Sequence, residues 1–302
     1  MKNRVSLLSS ILLSFSLFLV LISCQKNSSE SFDSSIVDST AIGQVSDPLF
    51  ETDNDLSMSM NTAPITVIKS ITSTRKNLLL ESTFESSFSE WKNSQHCCSY
   101  STGMSSSYAK SGSKSMRVEL RKSDPDVASS KRAELTQDPL SSATIERWYG
   151  TSFYFPSDYV ADNTGCSEII FQWHQVNTSG PPPLSIWVSG SSIMINQYNL
   201  STKKDALTKL TSLVTNKWIS MVFHVKWSPT SSGLVEAWVN GTKVYTKSGV
   251  NNYKESIGNY VKTGIYKWGW KNGYASKVSK RVLYQDDIRI GNEKATYNDV
   301  AP

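Results

Sequence analysis

The sequence predicts an all-β fold: two antiparallel sheets packed as a jelly-roll sandwich, with a concave cleft on one outer face. Three observations carry this. Short alternating or β-branched runs recur between turn signals from residue 115 onward. The one helix-compatible stretch of note, about Lys203–Leu213, is short. No period of 20 to 50 residues repeats, which argues against a propeller or a solenoid. Many evenly spaced strands over about 225 residues fit a large sandwich, whose sheets pack one face on the core and leave the other to line a cleft.

The first segment is an address. Lys2 and Arg4 precede an apolar run, Val5–Ile22, which ends in Leu21-Ile22-Ser23-Cys24, the small-residue pattern that precedes a lipidated cysteine. These eighteen residues are just long enough to span a bilayer. Several serines and the terminal cysteine favour a cleaved lipoprotein signal over 1–23 instead, with a plain signal peptide as the alternative. The mature chain is expected to start at Cys24, lipidated there, and to work outside the cytoplasm, anchored at the outer membrane or cell surface or else secreted. Residues 24–76 are rich in Ser, Thr, Asp and Asn without sustained periodicity. Such a stretch buries too little apolar surface to offset its ordering entropy and reads as a disordered linker.

All nine Trp and all thirteen Tyr lie after residue 76, so the core is expected in one domain, 77–302. The linker sets three basic residues against seven acidic ones, a net −4. With +2 on the signal and +5 on the whole chain, the remainder from residue 76 carries +7. A basic domain on an acidic leash points to a polyanionic partner, although ordinary surface charge would also account for it.

Within the domain the expected strands are, in order, Ser115–Arg121, Trp148–Phe155, Glu168–Val176, Leu184–Val188, Ser192–Tyr198, Trp218–Trp227, Leu234–Val239, Lys243–Tyr245, Tyr260–Trp268 and Arg281–Ile290. Asn240-Gly241 between two of them is a strong two-residue hairpin signal. With Cys24 lipidated, Cys97, Cys98 and Cys166 remain. An odd number in an oxidising compartment implies one disulfide and one spare thiol. Cys166 with Cys97 or Cys98 is the expected bridge, Cys98–Cys166 being the pairing preferred. No C-x-x-C pair or His-rich cluster supports zinc.

The period of two decides which polar residues act together. In Glu168–Gln175, Gln172 and His174 share a face while Phe171 and Trp173 point into the core. In Tyr260–Trp268, Tyr260, Lys262, Tyr266 and Trp268 share a face, with a gap at Gly264, and Val261 and Ile265 face the core. In Lys131–Leu135, Arg132 and Glu134 share a face. A lone strand histidine is more often structural than catalytic; three polar rows together reverse that balance.

R-x-E-L, Q-x-H and Y-x-K-x-G-x-Y, in this order on strands, resemble polysaccharide lyases of the jelly-roll type, a concanavalin-like superfamily that includes alginate lyases, glucuronan lyases and heparin lyase I. Phe84-Glu85 with Trp91, Arg147-Trp148-Tyr149-Gly150, Pro181-Pro182-Pro183, Val239-Asn240-Gly241 and Asp286-Asp287-Ile288-Arg289 have similar counterparts in the heparin lyase I group. The likeness covers about residues 78–292. Two departures bear on the substrate more than on the reaction: Trp173 stands where the alginate-lyase Q-x-H has an aliphatic residue, and Thr136 follows Arg132–Leu135 where a second Arg is usual.

The resemblance implies β-elimination on a 4-linked uronate: removal of the C5 proton and expulsion of the C4 oxygen. The intermediate would carry two negative charges on one carboxyl group, so cationic and hydrogen-bonding groups must stabilise it. Arg132, with its planar fork of donors, and Gln172 are the candidates. His174 suits the base, because imidazole titrates near neutral pH. Tyr266, by analogy with the second tyrosine of the motif, is the acid, with Tyr260 in reserve. Lys262 would hold a neighbouring carboxylate or sulfate, Glu134 would orient Arg132, and Trp268 and Trp270 would either stack on sugar rings or belong to the aromatic core. A structural Ca²⁺ on Asp287 with Glu81 or Glu85 is the candidate metal site, and catalysis as described needs no cofactor. His96 is placed in a loop near the cleft rim or in a structural role, and His224 in a structural role.

Other classes fit less well. A glycoside hydrolase on the same fold needs two carboxylates across the bond, and the strand at 167–174 lacks the Glu-x-Asp-x-x-Glu pattern. A lectin domain explains the aromatics and the charge but not the coincidence of His, Tyr, Arg and Gln. Nucleic acid fits the charge alone, with no motif behind it. A monomer acting on an anionic polysaccharide is the expectation, and its only membrane contact would be the lipid anchor.

Overall fold

Alternating apolar residues that bury one face of each strand build the two layers of the computed structural model, which describes residues 77–302. The signal, the lipidation at Cys24 and the linker over 24–76 lie outside the described residues. In chain order the strands are β1 (Leu78–Ser82), β2 (Asn93–Gln95), β3 (Thr102–Ser105), β4 (Ser115–Arg121), β5 (Arg132–Thr136), β6 (Glu146–Tyr154), β7 (Glu168–His174), β8 (Leu184–Ser189), β9 (Ser192–Gln197), β10 (Leu207–Ser212), β11 (Trp218–Lys226), β12 (Leu234–Val239), β13 (Thr242–Ser248) and β14 (Tyr260–Tyr266). The one-turn helix α1 (Trp268–Lys271), the long β15 (Lys280–Gly291) and a closing turn α2 (Tyr297–Val300) follow.

One sheet runs β13-β12-β11-β6-β15-β4-β3, with β1 also paired to β15; the other runs β10-β9-β8-β7-β14-β5-β2. Neighbouring strands pair antiparallel. The predicted all-β jelly roll is the fold. Between the layers, Phe171 and Trp173 from β7 meet Phe223 from β11 and Tyr149 from β6. Ring centroids lie 5.2 Å apart for both Trp173–Phe223 and Trp173–Tyr149, in edge-to-face geometry that suits aromatic quadrupoles. Val261, Ile265, Ala133 and Leu135 are buried in the same layer. The Asn240-Gly241 turn has φ of 48° and 88°, the positive values that a tight hairpin between β12 and β13 requires.

Three expectations are corrected. The helix-compatible stretch Lys203–Leu213 holds β10, an edge strand on β9, because β-branched Thr208 and Thr211 and the open ladder of β9 outweigh a weak helical pattern. Trp268 belongs to α1, so it leaves the alternating row of β14. The disulfide joins Cys97 to Cys98, not Cys98 to Cys166. Cys166 is buried in the core and packs so closely on α1 that a Cβ on Gly269 would lie 2.4 Å from its sulfur.

Candidate active site

The central strands β7, β14 and β5 of the second sheet bring the three polar rows together. The pairing register sets His174 opposite Tyr260, Gln172 opposite Lys262, Glu134 opposite Gly264, and Arg132 opposite Tyr266. Because opposite residues share a face, all seven side chains lie on the face turned away from the core, with Gly264 as the gap. No other residue fits at Gly264. Its φ is +134°, and a Cβ would fall 2.1 Å from the Ala133 carbonyl oxygen. The register of β14 against β7 shifts between Thr263 and Tyr266, so the strand bends at this glycine.

Glu134 is the hub. It is 1% exposed, and its Oε2 takes the Lys262 ammonium at 2.8 Å and Arg132 at 3.4 Å. Its Oε1 accepts Gln172 Nε2 at 2.5 Å. Burial works against its charge, but Lys262 and Arg132 outweigh that and hold its carboxyl below the usual range. Two cations around one anion leave one positive charge unspent. Burial, with Arg132 adding to it and Glu134 opposing, brings the Lys262 ammonium down to about 8. Arg132 also reaches Gln95 Oε1 at 3.4 Å and the Ala128 carbonyl at 3.3 Å, and it lies 4.2 Å above the Tyr266 ring. Gln172 leaves its Oε1 buried without a partner, and its amide nitrogen has a second hydrogen besides the one given to Glu134.

His174 lies beside this charged group. Burial, reinforced by Lys262, lowers its imidazole to about 4, so the ring is neutral near pH 7. Its Nδ1 is 2.8 Å from the Gln175 carbonyl oxygen. A carbonyl only accepts, so Nδ1 carries the proton and Nε2 is the basic nitrogen. Tyr260 is the phenol in contact with His174, at 5.5 Å between ring centroids; burial and Glu134 push its hydroxyl up to about 12. Tyr266 stands on the far side of the bend at Gly264 and approaches the row from the Arg132 end, its ring 4.2 Å from the Arg132 guanidinium.

Trp268 packs on Tyr266 and on Trp187 of β8, with centroids 5.7 and 4.8 Å apart. Gln95 and Trp187 escaped the sequence reading. β2 has no apolar alternation to reveal it, and only the pairing of Ser185 with Gln172 shows which face of β8 meets the cleft. Trp270 is buried and bonds Ser276. His96 lines a separate 250 Å³ pocket with Phe88 and Trp91. His224 lies on the other sheet, between Glu146 and Glu236 and stacked on Trp148 at 4.1 Å. The calcium candidates do not form a cage. Arg289 lies 2.8 Å from Glu81 and 2.7 Å from Asp287, and Glu85 is held by Ser113 and by the Lys114 backbone, so their charge is met by protein donors. Among the described residues, the ligand atoms that do cluster in a group of three are those of Cys97, Cys98 and Asp124, and the two sulfurs there are joined.

Residues 85–289 match the family model described as polysaccharide lyase. No curated protein matches. Among solved structures, an endo-β-1,4-glucuronan lyase from the fungus Trichoderma reesei is similar at 16% identity and TM-score 0.61, over 74% of this chain and 98% of that one. A PL-14 alginate lyase from Aplysia kurodai is similar at 14% and 0.47, over 64% and 87%. A family 7 alginate lyase in complex with substrate is similar at 12% and 0.47, over 64% and 85%. At these identities the structural likeness is one of fold.

Proposed function

The chain belongs to the polysaccharide lyase family, and we propose that it cleaves a uronate-containing anionic polysaccharide, a 4-linked polyuronate such as glucuronan or alginate, by β-elimination that leaves 4,5-unsaturated uronate ends. One observation carries this reading: a buried carboxylate ringed by Lys262, Arg132 and Gln172 leaves one net positive charge beside a neutral imidazole. That combination suits a reaction in which a carboxylate must be neutralised while a base takes the neighbouring proton.

In this reading the uronate carboxylate meets Lys262, Arg132 and the second N–H of Gln172. Arg132 and Gln172 stabilise the dianionic intermediate, and losing one such donor typically costs ~2.7–4 kcal/mol of barrier, whereas Lys262 supplies the charge that draws the anionic substrate in. The Nε2 of His174 takes the C5 proton, Nδ1–H staying on the Gln175 carbonyl. The Tyr266 hydroxyl gives its proton to the departing O4, carried towards the same sugar by the bend of β14 at Gly264, whose missing side chain leaves room for it. If the eliminated groups lie on the same side of the sugar, Tyr266 serves as base and acid in turn. Tyr260 packs His174 in place, and Trp268 offers a ring face to a neighbouring sugar. The scheme uses no metal. On the pattern at residues 21–24, the enzyme is proposed to work outside the cytoplasm as a lipid-anchored monomer.

The test follows the ultraviolet absorbance of new unsaturated ends on glucuronan, alginate, heparin-type and ulvan-type polymers. Turnover is expected on a plain polyuronate and is lost in His174→Ala, whose circular dichroism should match wild type. Turnover on sulfated chains alone would replace the polymer but keep the reaction. Silence on every uronate polymer would leave a carbohydrate-binding domain instead.

A further inference from the structure

We propose that a cationic groove at one end of the sandwich is a second, non-catalytic binding site for the anionic polysaccharide, holding a stretch of the same polymer that the cleft cleaves; this rests on the polyuronate reading above. The open groove, about 680 Å³, is lined by Arg121, Lys122, Ser123, Ser279 and Lys280: three cations, two hydroxyls and no carboxylate.

The backbone forces these charges together. Arg121 and Lys280 are direct cross-strand partners of β4 and β15, and the Lys122 amide donates to the Ser279 carbonyl at 2.8 Å. Like charges directly opposite destabilise an antiparallel pair, a burden that the fold does not need. Glu119 offsets only part of it, because it is shared between Arg117 and Arg121. A second carboxylate, Asp124, accepts the Arg121 backbone amide at 2.9 Å, so four cations, Arg117, Arg121, Lys122 and Lys280, stand against two carboxylates. Arg121 is held by Glu119 and over the Tyr100 ring at 3.9 Å, so it is presented rather than free to swing. Lys122 and Lys280 are exposed, and neither has an ion-pair partner among the described residues.

The groove also stands at the right end of the molecule. β4 ends at Arg121, and the chain crosses to begin β5 at Arg132; β14 ends at Tyr266, and the chain crosses back to begin β15 at Lys280. The pairs Arg121·Lys280 and Arg132·Tyr266 therefore mark the same end of the two sheets. The crossing loops carry Lys131 and Lys271, both bridged to Asp126, at 3.1 and 2.6 Å. A polyanion leaving the cleft past Tyr266 reaches the groove by rounding this end of the sandwich, because Met116, Val118 and Leu120 of β4 turn to the core and Arg121 lies on the outer face of the other sheet. Spaced ammonium groups with no aromatic lining suit a chain of separate carboxylates, whereas a single-stranded nucleic acid would call for stacking rings.

The test compares wild type, Lys122→Glu/Lys280→Glu and the control Lys217→Glu/Lys247→Glu, which moves the same charge at exposed lysines elsewhere. Retardation in gels containing the polymer reads binding without turnover, and KM is measured on long polymer and on short oligosaccharides. The groove variant should lose about tenfold in polymer affinity at low ionic strength. It should keep wild-type kinetics on short oligosaccharides and converge with wild type at about 0.5 M salt. Equal loss in the control, equal loss on short oligosaccharides, or retardation by dextran sulfate but by no uronate polymer would overturn the proposal. Selective loss of retardation on a uronate polymer that the protein does not cleave would uphold the groove while the proposed lyase substrate failed.

Discussion

At the residue scale, the cleft works by arranging charge around Glu134. Lys262 titrates at about 8 and His174 at about 4, so between pH 5 and pH 8 the base is neutral while the cationic pair is intact. Above about 8 Lys262 loses its proton, the group falls from one net positive charge to none, and a uronate carboxylate binds less well. KM should therefore rise by about tenfold towards pH 9 while kcat holds. Lys262→Met should show the raised KM already at pH 7, with no further loss at pH 9. A wild-type alkaline fall in kcat alone would contradict this. The two phenols separate in the same way. Tyr266→Phe should lower kcat by ~10²–10⁴-fold, the usual worth of a general acid. Tyr260→Phe removes only a hydroxyl beside His174 and should act mainly on KM; equal losses in kcat would undo the division of roles. Gln172, His174, Arg132 and Lys262 were legible because the period of two sorts a strand's faces without tertiary knowledge. That Glu134 also grips Lys262 and Gln172 was not legible, because strand pairing across 38 residues sets it.

At the element scale, the bend of β14 shapes the cleft, and Gly264 permits it. Gly264→Ala would force a side chain into φ +134° and onto the Ala133 carbonyl, which should cost about 2–4 kcal/mol in urea unfolding. Gly273→Ala gives the contrast: its φ is +71°, but its Cβ would meet nothing within 4 Å, so about 1 kcal/mol is expected. Equal midpoints would mean that the close approach at Gly264 is not what excludes a side chain there. The Tyr-x-Lys-x-Gly-x-Tyr row announced a gap but not a register shift, which needs β5 and β7 on either side. The short edge strands β2 and β3 are silent in the sequence for a related reason. Asn93-Ser94-Gln95 has no apolar residue to alternate, and its strand exists because β5 offers an open ladder. The Cys97–Cys98 bridge follows directly after it, in a segment whose sequence gave no strand to place the sulfurs.

At the scale of the whole molecule, the two sheets are locked at the cleft's Tyr266 end by charge as well as by the aromatic core. Arg281 of β15 crosses the layer to Glu168 of β7 at 2.8 Å, and Lys267 meets the same carboxylate at 2.5 Å and Asp162 at 3.3 Å. All four residues are at most 2% exposed. The sequence shows them only as ordinary charged residues in strand-like runs; their burial follows from one sheet stacking on the other, which no local pattern encodes. A buried ion cluster contributes little net stability over an apolar isostere, yet removing one partner strands the rest in a dry interior. Arg281→Ala should therefore cost about 3–5 kcal/mol. Lys243→Ala, which breaks a half-exposed pair with Glu236, should cost no more than ~1 kcal/mol. Because Lys267 directly follows Tyr266, Arg281→Ala should also lower kcat at temperatures where the protein is still folded. Glu168 loses one of its two cationic partners in that variant, so its carboxylate shifts towards Lys267 and the end of β14 that carries the proposed acid shifts with it. Calorimetry and turnover on the same sample read the two effects. A large drop in Tm with unchanged kcat would confine the cluster to stability, and no drop in Tm would mean that the sheets are held together without it.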